Sequence, residues 1–140
     1  AMENKALSYL SLARKGGLTE LGEEPVGAIS RTGKAYLVLV AGDASDHTWR
    51  RAKSFVAGTD QQCIRLDCTK EEMGFVVGRT SLAIAAITDP SLALALANSL
   101  SQPEKYQQAI QILTEKSQRQ KKHQAEAKAH QRNLRKGKKK

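Results

Sequence analysis

Apolar positions along this chain fall in short runs, each bounded by glycine, proline or a helix-capping residue. Between Glu3 and Lys15, Ala6, Leu7, Leu10 and Ala13 recur at helical spacing, and Gly16 and Gly17 end the pattern. This predicts an amphipathic helix against a core. Leu18 to Leu21 reads as a short apolar turn. Pro25 then stands where a helix's first turn has no N–H to lose, and Glu23 and Glu24 suit the positive end of a helix dipole. A helix therefore starts near Glu23 and runs toward Gly33. Its first N–H groups point outward, where a phosphate or base edge is well received. Ala35 to Ala41 is a continuous apolar run between Gly33 and Gly42, the pattern of a strand covered on both faces.

Gly42, Asp43, Ala44 and Ser45 lead into a helix reaching about Ala57, with Trp49, Ala52 and Val56 inward and Arg50, Arg51 and Lys53 mostly outward. Gln62 to Leu66 is a second, weaker strand. Thr69 and Glu72 have the spacing of a capping box, which predicts a helix of one to two turns ending at Gly78. Arg79, Thr80 and Ser81 form a loop, and Leu82 to Ile87 is another apolar strand. Asp89 and Pro90 are the cap and first residue of a further helix through Leu92, Leu94 and Leu96. Alternating helices and strands with short connections favour parallel crossovers. The expected fold is α/β, a three-layer α/β/α sandwich with a mostly parallel four-stranded sheet.

Ser101, Gln102 and Pro103 interrupt this order before a last helix, whose Tyr106, Ile110 and Leu113 supply one apolar stripe for docking. From Glu115 to Asn133 no residue larger than alanine is apolar, so no core face is expected there. Three regions result: an α/β/α domain over 1–100, a docked amphipathic helix over 101–114, and a basic C-terminal arm over 115–140. The arm is expected to be helical or disordered and to order on a polyanion.

Charge sharpens this division. The formal net charge is +9. From Glu115 to Lys140, 8 Lys and 3 Arg face 2 Glu, whereas the 12 basic and 12 acidic residues from Ala1 to Thr114 cancel. A basic arm on a neutral body suits nucleic acid, because neutralising phosphates releases counterions and gives affinity without base reading. Lys34, Lys121, Lys122, Arg132, Arg135 and Lys136 are the candidate phosphate contacts.

Other chemistry finds little support. Arg31, Thr32, Gly33 and Lys34 resemble part of a phosphate loop, but they end a helix and enter a strand, the reverse of the order such a loop needs. Gly16, Gly17 and Gly22 lack dinucleotide-fingerprint spacing. Asp43 and Asp46 read as helix-start residues. Cys63 and Cys68 are read as free thiols, and His47, His123 and His130 are scattered in polar surroundings, so neither a metal nor another cofactor is expected. No apolar run reaches membrane-span length and no signal-peptide pattern opens the chain, so a cytoplasmic location and no membrane partner are expected. Aromatics make up 4% of the chain, with no strand pair of the kind that stacks single-stranded bases.

The order Leu12, Ala13, Arg14, Lys15, Gly16, Gly17, then Gly22, Glu23, Glu24, then Ala35 to Ala41 with Gly42, Asp43, Ala44 and Ser45, continues later with Thr69 to Gly74, Gly78 and Ala85 to Asp89. It resembles the kink-turn RNA-binding ribosomal protein family, most closely its bacterial YlxQ-type, ribosomal-protein-like members, over about residues 4 to 100. The resemblance implies an α/β/α sandwich. It also implies an RNA surface at the start of the second helix (Gly22, Glu23, Glu24, Pro25, Ala28) and in the loop before the last strand (Arg79, Thr80, Ser81, Leu82). Where strong binders of that family carry Asn, Glu and then Lys, this chain has Glu24, Pro25 and Ala28. Ionised Glu only accepts hydrogen bonds, and Ala28 offers no phosphate contact. The family mode of binding is expected to weaken by roughly 1 to 3 kcal/mol per lost base contact.

The function expected from sequence is non-enzymatic RNA binding. Structured RNA, either rRNA or kink-turn RNA, is the partner, in a ribosome or other ribonucleoprotein. The alternative is a protein-interaction module of the same fold that has lost specific RNA recognition.

Overall fold

A computed structural model describes residues 5–100 and 105–138, with side chains to His130. The helices are α1 (Lys5–Lys15), α2 (Glu23–Arg31), α3 (Asp46–Val56), α4 (Lys70–Phe75), α5 (Pro90–Asn98) and α6 (Gln107–Lys138). The strands are β1 (Thr19–Leu21), β2 (Leu37–Val40), β3 (Gln62–Arg65) and β4 (Ile84–Ile87). Local chemistry sets the helix starts as the sequence indicates. Ser45 accepts from Thr48 N, Thr69 and Glu72 complete their capping box, and Asp89 caps α5 with Pro90 in its first turn. Residues 1–4 and the Ser101–Gln102–Pro103 break lie outside the described residues.

The sheet order is β1-β4-β2-β3. Only β2 and β3 are parallel, and β4 runs antiparallel to both β1 and β2. The sheet is thus mixed, against the mostly parallel expectation. A parallel return from β3 needs a helix about as long as the sheet is deep. The four residues of a strand here span about 13 Å, whereas the six of α4 rise only about 9 Å. Moreover, Leu82 N donates to Lys70 O at 2.9 Å, which brings the chain back to the start of α4. β4 therefore starts at the end of the sheet where β2 and β3 finish. The fourth strand is Thr19–Leu21, read in sequence as a turn, and its pairing with β4 puts Leu21 opposite Ala85.

Helices cover both faces: α2 and α3 pack together over one, while α1, α5 and α6 pack in series over the other. Every residue of β2 and β4 is buried, which explains their unbroken apolar character. Gly27 lets α2 lie tight on α3, for an added Cβ would come within 3.0 Å of the Phe55 ring.

The arm is helical: α6 continues without a break from its docked turns to Lys138. Its contact with the body also passes the expected limit at Thr114, because polar residues make it. Ser117 is 2% exposed. Its hydroxyl lies 2.9 Å from Ser91 Oγ, which donates to Gln120 Oε1 at 3.0 Å. Lys116 pairs with Asp60 at 2.6 Å. From Lys121 to His130 every residue is exposed.

Candidate nucleic-acid interface

Gly22 sits between β1 and α2 with φ 98° and ψ 161°, a backbone conformation reserved for glycine. Its N–H donates to Ile84 O at 3.0 Å and its carbonyl accepts from Val26 N at 3.0 Å. No side chain caps the helix it opens. The first amides of α2 therefore face outward beside Glu24, Pro25 and Ala28, which are all exposed.

The second half of the surface is the α4–β4 loop. Arg79 N donates to Gly74 O at 2.8 Å. A Cβ on Gly74 would fall 2.7 Å from Ser81 N and 2.8 Å from Arg79 O, so the loop rests directly on the helix backbone at this glycine. Arg79, Thr80 and Ser81 are exposed, while Leu82 is buried as their anchor. The two halves meet, since Arg79 Nη1 stands 4.0 Å from the position of a Cβ on Gly22. Glu23 points elsewhere and pairs with Arg51 Nε of α3 at 2.6 Å. Arg79 and the exposed Glu24 thus stand beside the first turn of α2.

The remaining candidates lie at the opposite end of the sheet. Lys34 is exposed just before β2, past the far end of α2 from Gly22. Gln61 fixes this turn, donating to Ser30 O at 3.1 Å and accepting from Ala35 N at 2.9 Å. The arm leaves the body at this end, where Gln120 Nε2 donates to Asp89 Oδ1 at 2.9 Å. Lys121 and Lys122 follow, both exposed. The side chains of Arg132, Arg135 and Lys136 lie outside the described ones, although α6 carries their backbone. The twelve candidates thus form two groups, Gly22 to Glu24 with Arg79 to Ser81 at one end, and Lys34 with the arm at the other, separated by about 13 Å of strand.

Sequence reasoning did not anticipate Arg51 as the partner of Glu23. The two are far apart in the chain, and no local spacing signals the pair.

Among the described residues no group of three His, Cys, Asp or Glu is placed to hold a metal. Both cysteines are free thiols. Burial pushes each up to about 12, assisted at Cys68 by the nearby carboxylates of Glu72, Asp67 and Asp43. Such thiols stay protonated and make poor nucleophiles at neutral pH. No helix among the described residues is long and apolar enough to cross a membrane.

No protein-family model and no curated protein matches the chain. Solved structures do. One is a protein of unknown function from Bacillus halodurans C, 24% identical, with a TM-score of 0.64 over 69% of this chain and 97% of that one. Another is the Giardia lamblia 15.5kD RNA binding protein, 17% identical, with a TM-score of 0.58 over 82% of this chain and 89% of that one. At these identities the likeness is one of fold.

Proposed function

We propose that this protein is a non-enzymatic RNA-binding protein that docks structured RNA, rRNA or a kink-turn, within a cytoplasmic ribonucleoprotein. The observation that carries this reading is the meeting of Gly22 and Arg79, which sets a guanidinium against an uncapped helix N-terminus. Amides at such a terminus and a nearby Arg both favour a phosphate, and the bare backbone of Gly22 admits close approach. Glu24 accepts hydrogen bonds only, which suits the N1 and N2 donors of guanine. The pairing of Glu23 with Arg51 offsets a carboxylate that would otherwise repel RNA here. The fold shared with the Giardia lamblia 15.5kD RNA binding protein and the resemblance to kink-turn binders support the same reading.

The basic arm adds affinity through phosphates without reading bases. The two surfaces lie at opposite ends of the sheet, so a target engaging both must extend along the body.

Gel shifts with a kink-turn RNA, a variant with its sheared pairs replaced, and a straight duplex of equal length test the proposal. The kink-turn is expected to bind tightest, with Arg79→Ala abolishing its advantage. Equal affinity for all three would reduce the protein to a nonspecific polyanion binder and overturn the proposed site.

A further inference from the structure

Among the described residues β3 is an edge strand, paired only with β2. Gln62 N donates to Tyr36 O and Leu66 N donates to Val40 O, at 3.2 and 2.8 Å. By the alternation of a parallel ladder, Cys63 and Arg65 turn their main-chain N–H and C=O groups away from β2 toward the open side. Among the described residues none pairs with these groups. Proteins usually blunt such an edge with a charged side chain standing over it. Arg65 does not serve in that way, for its guanidinium lies over the Trp49 ring, 5.6 Å from the centroid, and donates from Nη2 to Ala44 O at 2.7 Å.

Two adjoining hollows of about 310 and 300 Å³ follow this edge, sharing Arg65, Lys105 and Tyr106 as lining. Trp49 of α3 forms one wall and Tyr106 with Ala109 the other. Lys53 and Lys105 stand against these aromatics, 5.5 Å from the Trp49 and Tyr106 centroids respectively. Arg65 Nε, within the same groove, is buried with no hydrogen-bond partner among the described residues. Among the described residues Arg65 and Lys105 are the cations of this lining and Asp67 its one acidic member, with Lys53 beside it over the Trp49 ring. This groove is separate from the Gly22 and Arg79 surface, since it borders the sheet edge opposite β1.

We infer that the open edge of β3 is a docking site for an acidic peptide in extended conformation, taken up as an added strand. Alternating main-chain donors and acceptors match a peptide backbone and have no counterpart in a sugar–phosphate chain. Two cations already occupy the Trp49 ring, which leaves it ill suited to stack a base. The charge of Lys53, Arg65 and Lys105 instead selects carboxylates on the incoming strand, and Tyr106 with Ala109 on the opposite wall accepts its apolar side chains. The protein would thus join RNA at one end of its sheet to an acidic protein segment along one edge.

The test uses the full chain and a fluorescein-labelled peptide of alternating Glu and Val, about ten residues long so as to exceed the edge. Saturable binding is expected, with Cys63 and Arg65 amides newly protected from hydrogen exchange and the Gly22 and Arg79 amides unchanged. N-methylation of every second peptide residue should weaken binding about tenfold or more, as should Lys105→Glu, an exposed substitution that leaves the core intact. Trp49→Ala checks the wall separately. Protection at other amides, or indifference to N-methylation, overturns the inference. Equal protection of Cys63 and Arg65 by an oligouridine of similar length also overturns it, because the groove would then take polyanions rather than strands.

Discussion

Gln120 Nε2 donates to Asp89 Oδ1 at 2.9 Å, while Asp89 Oδ2 accepts from Leu92 N at 2.9 Å. One carboxylate thus caps α5 and holds α6 at the point where the arm leaves the body. Asp89→Ala should cost about 1 kcal/mol for the lost cap. It should also release the helix beyond Leu113. Urea unfolding measures the first effect, and faster amide exchange from Ser117 to Gln124 the second. Asp89→Asn keeps a capping oxygen and is expected to retain most of the stability.

Gly22→Ala tests the conformation at the centre of the proposed RNA surface. The new Cβ meets only ordinary contacts, 3.7 Å from Pro25 Cδ and 4.0 Å from Arg79 Nη1. Strain at φ 98° therefore sets the cost, about 1–3 kcal/mol. Thermal unfolding should register that loss. RNA affinity should fall further than in Ala28→Gly, which alters an exposed neighbour without backbone strain.

The thiols give a pH dependence at the alkaline end. Burial raises Cys63 and Cys68 from 9.0 to about 12. The unfolded chain ionises first, so the stability gained from neutral thiols is complete below pH 9 and is lost as pH rises through the folded value. Replacing both residues with alanine should flatten the decline in stability between pH 9 and 11. In the native protein at pH 8, alkylation should run about a thousandfold slower than for an unperturbed cysteine, in proportion to the thiolate fraction.

At the acid end, the hydrogen bond from Lys116 holds the Asp60 carboxyl below its ordinary 3.8, opposed in part by desolvation. A lowered folded value contributes stability above the unfolded value, and that contribution disappears as pH falls through the folded one. Asp60→Asn should therefore be less stable than the parent at pH 7 and equal to it near pH 2. The difference should stay under about 1 kcal/mol, since Asp60 is exposed and salt screens the pair.

What was legible in the sequence was local. Thr69 with Glu72, and Asp89 with Pro90, announce helix starts because each side chain acts within one turn. Leu37 to Val40 and Ile84 to Ile87 declare buried strands by lacking polar residues. β1 was not legible as a strand, because three residues are too few for a period and its pairing comes from β4. Nor was the direction of β4, which depends on α4 being too short to cross the sheet. The burial of Ser117 is invisible to an apolar count, since hydrogen bonds dock that turn. For the candidate site, the resemblance pointed to Gly22 and Arg79, which the fold brings together. Charge alone groups Lys34 and the arm with them, and charge carries no information about which end of a sheet a residue occupies.

That separation makes the contribution of the arm depend on RNA length. Lys121 to Lys138 of α6 spans about 27 Å, starting at the end of the body away from Gly22. If about five of its cations contact phosphates, log affinity should fall with log salt at a slope near −3.5 to −4.5. Truncation after Gln124 keeps the Ser117 and Gln120 contacts with α5 and removes Lys128 and every later cation. On a long RNA it should flatten the salt slope and cost affinity, irrespective of sequence. On an RNA only long enough to cover the Gly22 and Arg79 surface, the same truncation should change neither quantity. Fluorescence anisotropy across a salt series, with both RNAs and both chains, measures this. An equal loss on the short RNA would place the arm beside the Gly22 surface and contradict the geometry derived from the sheet.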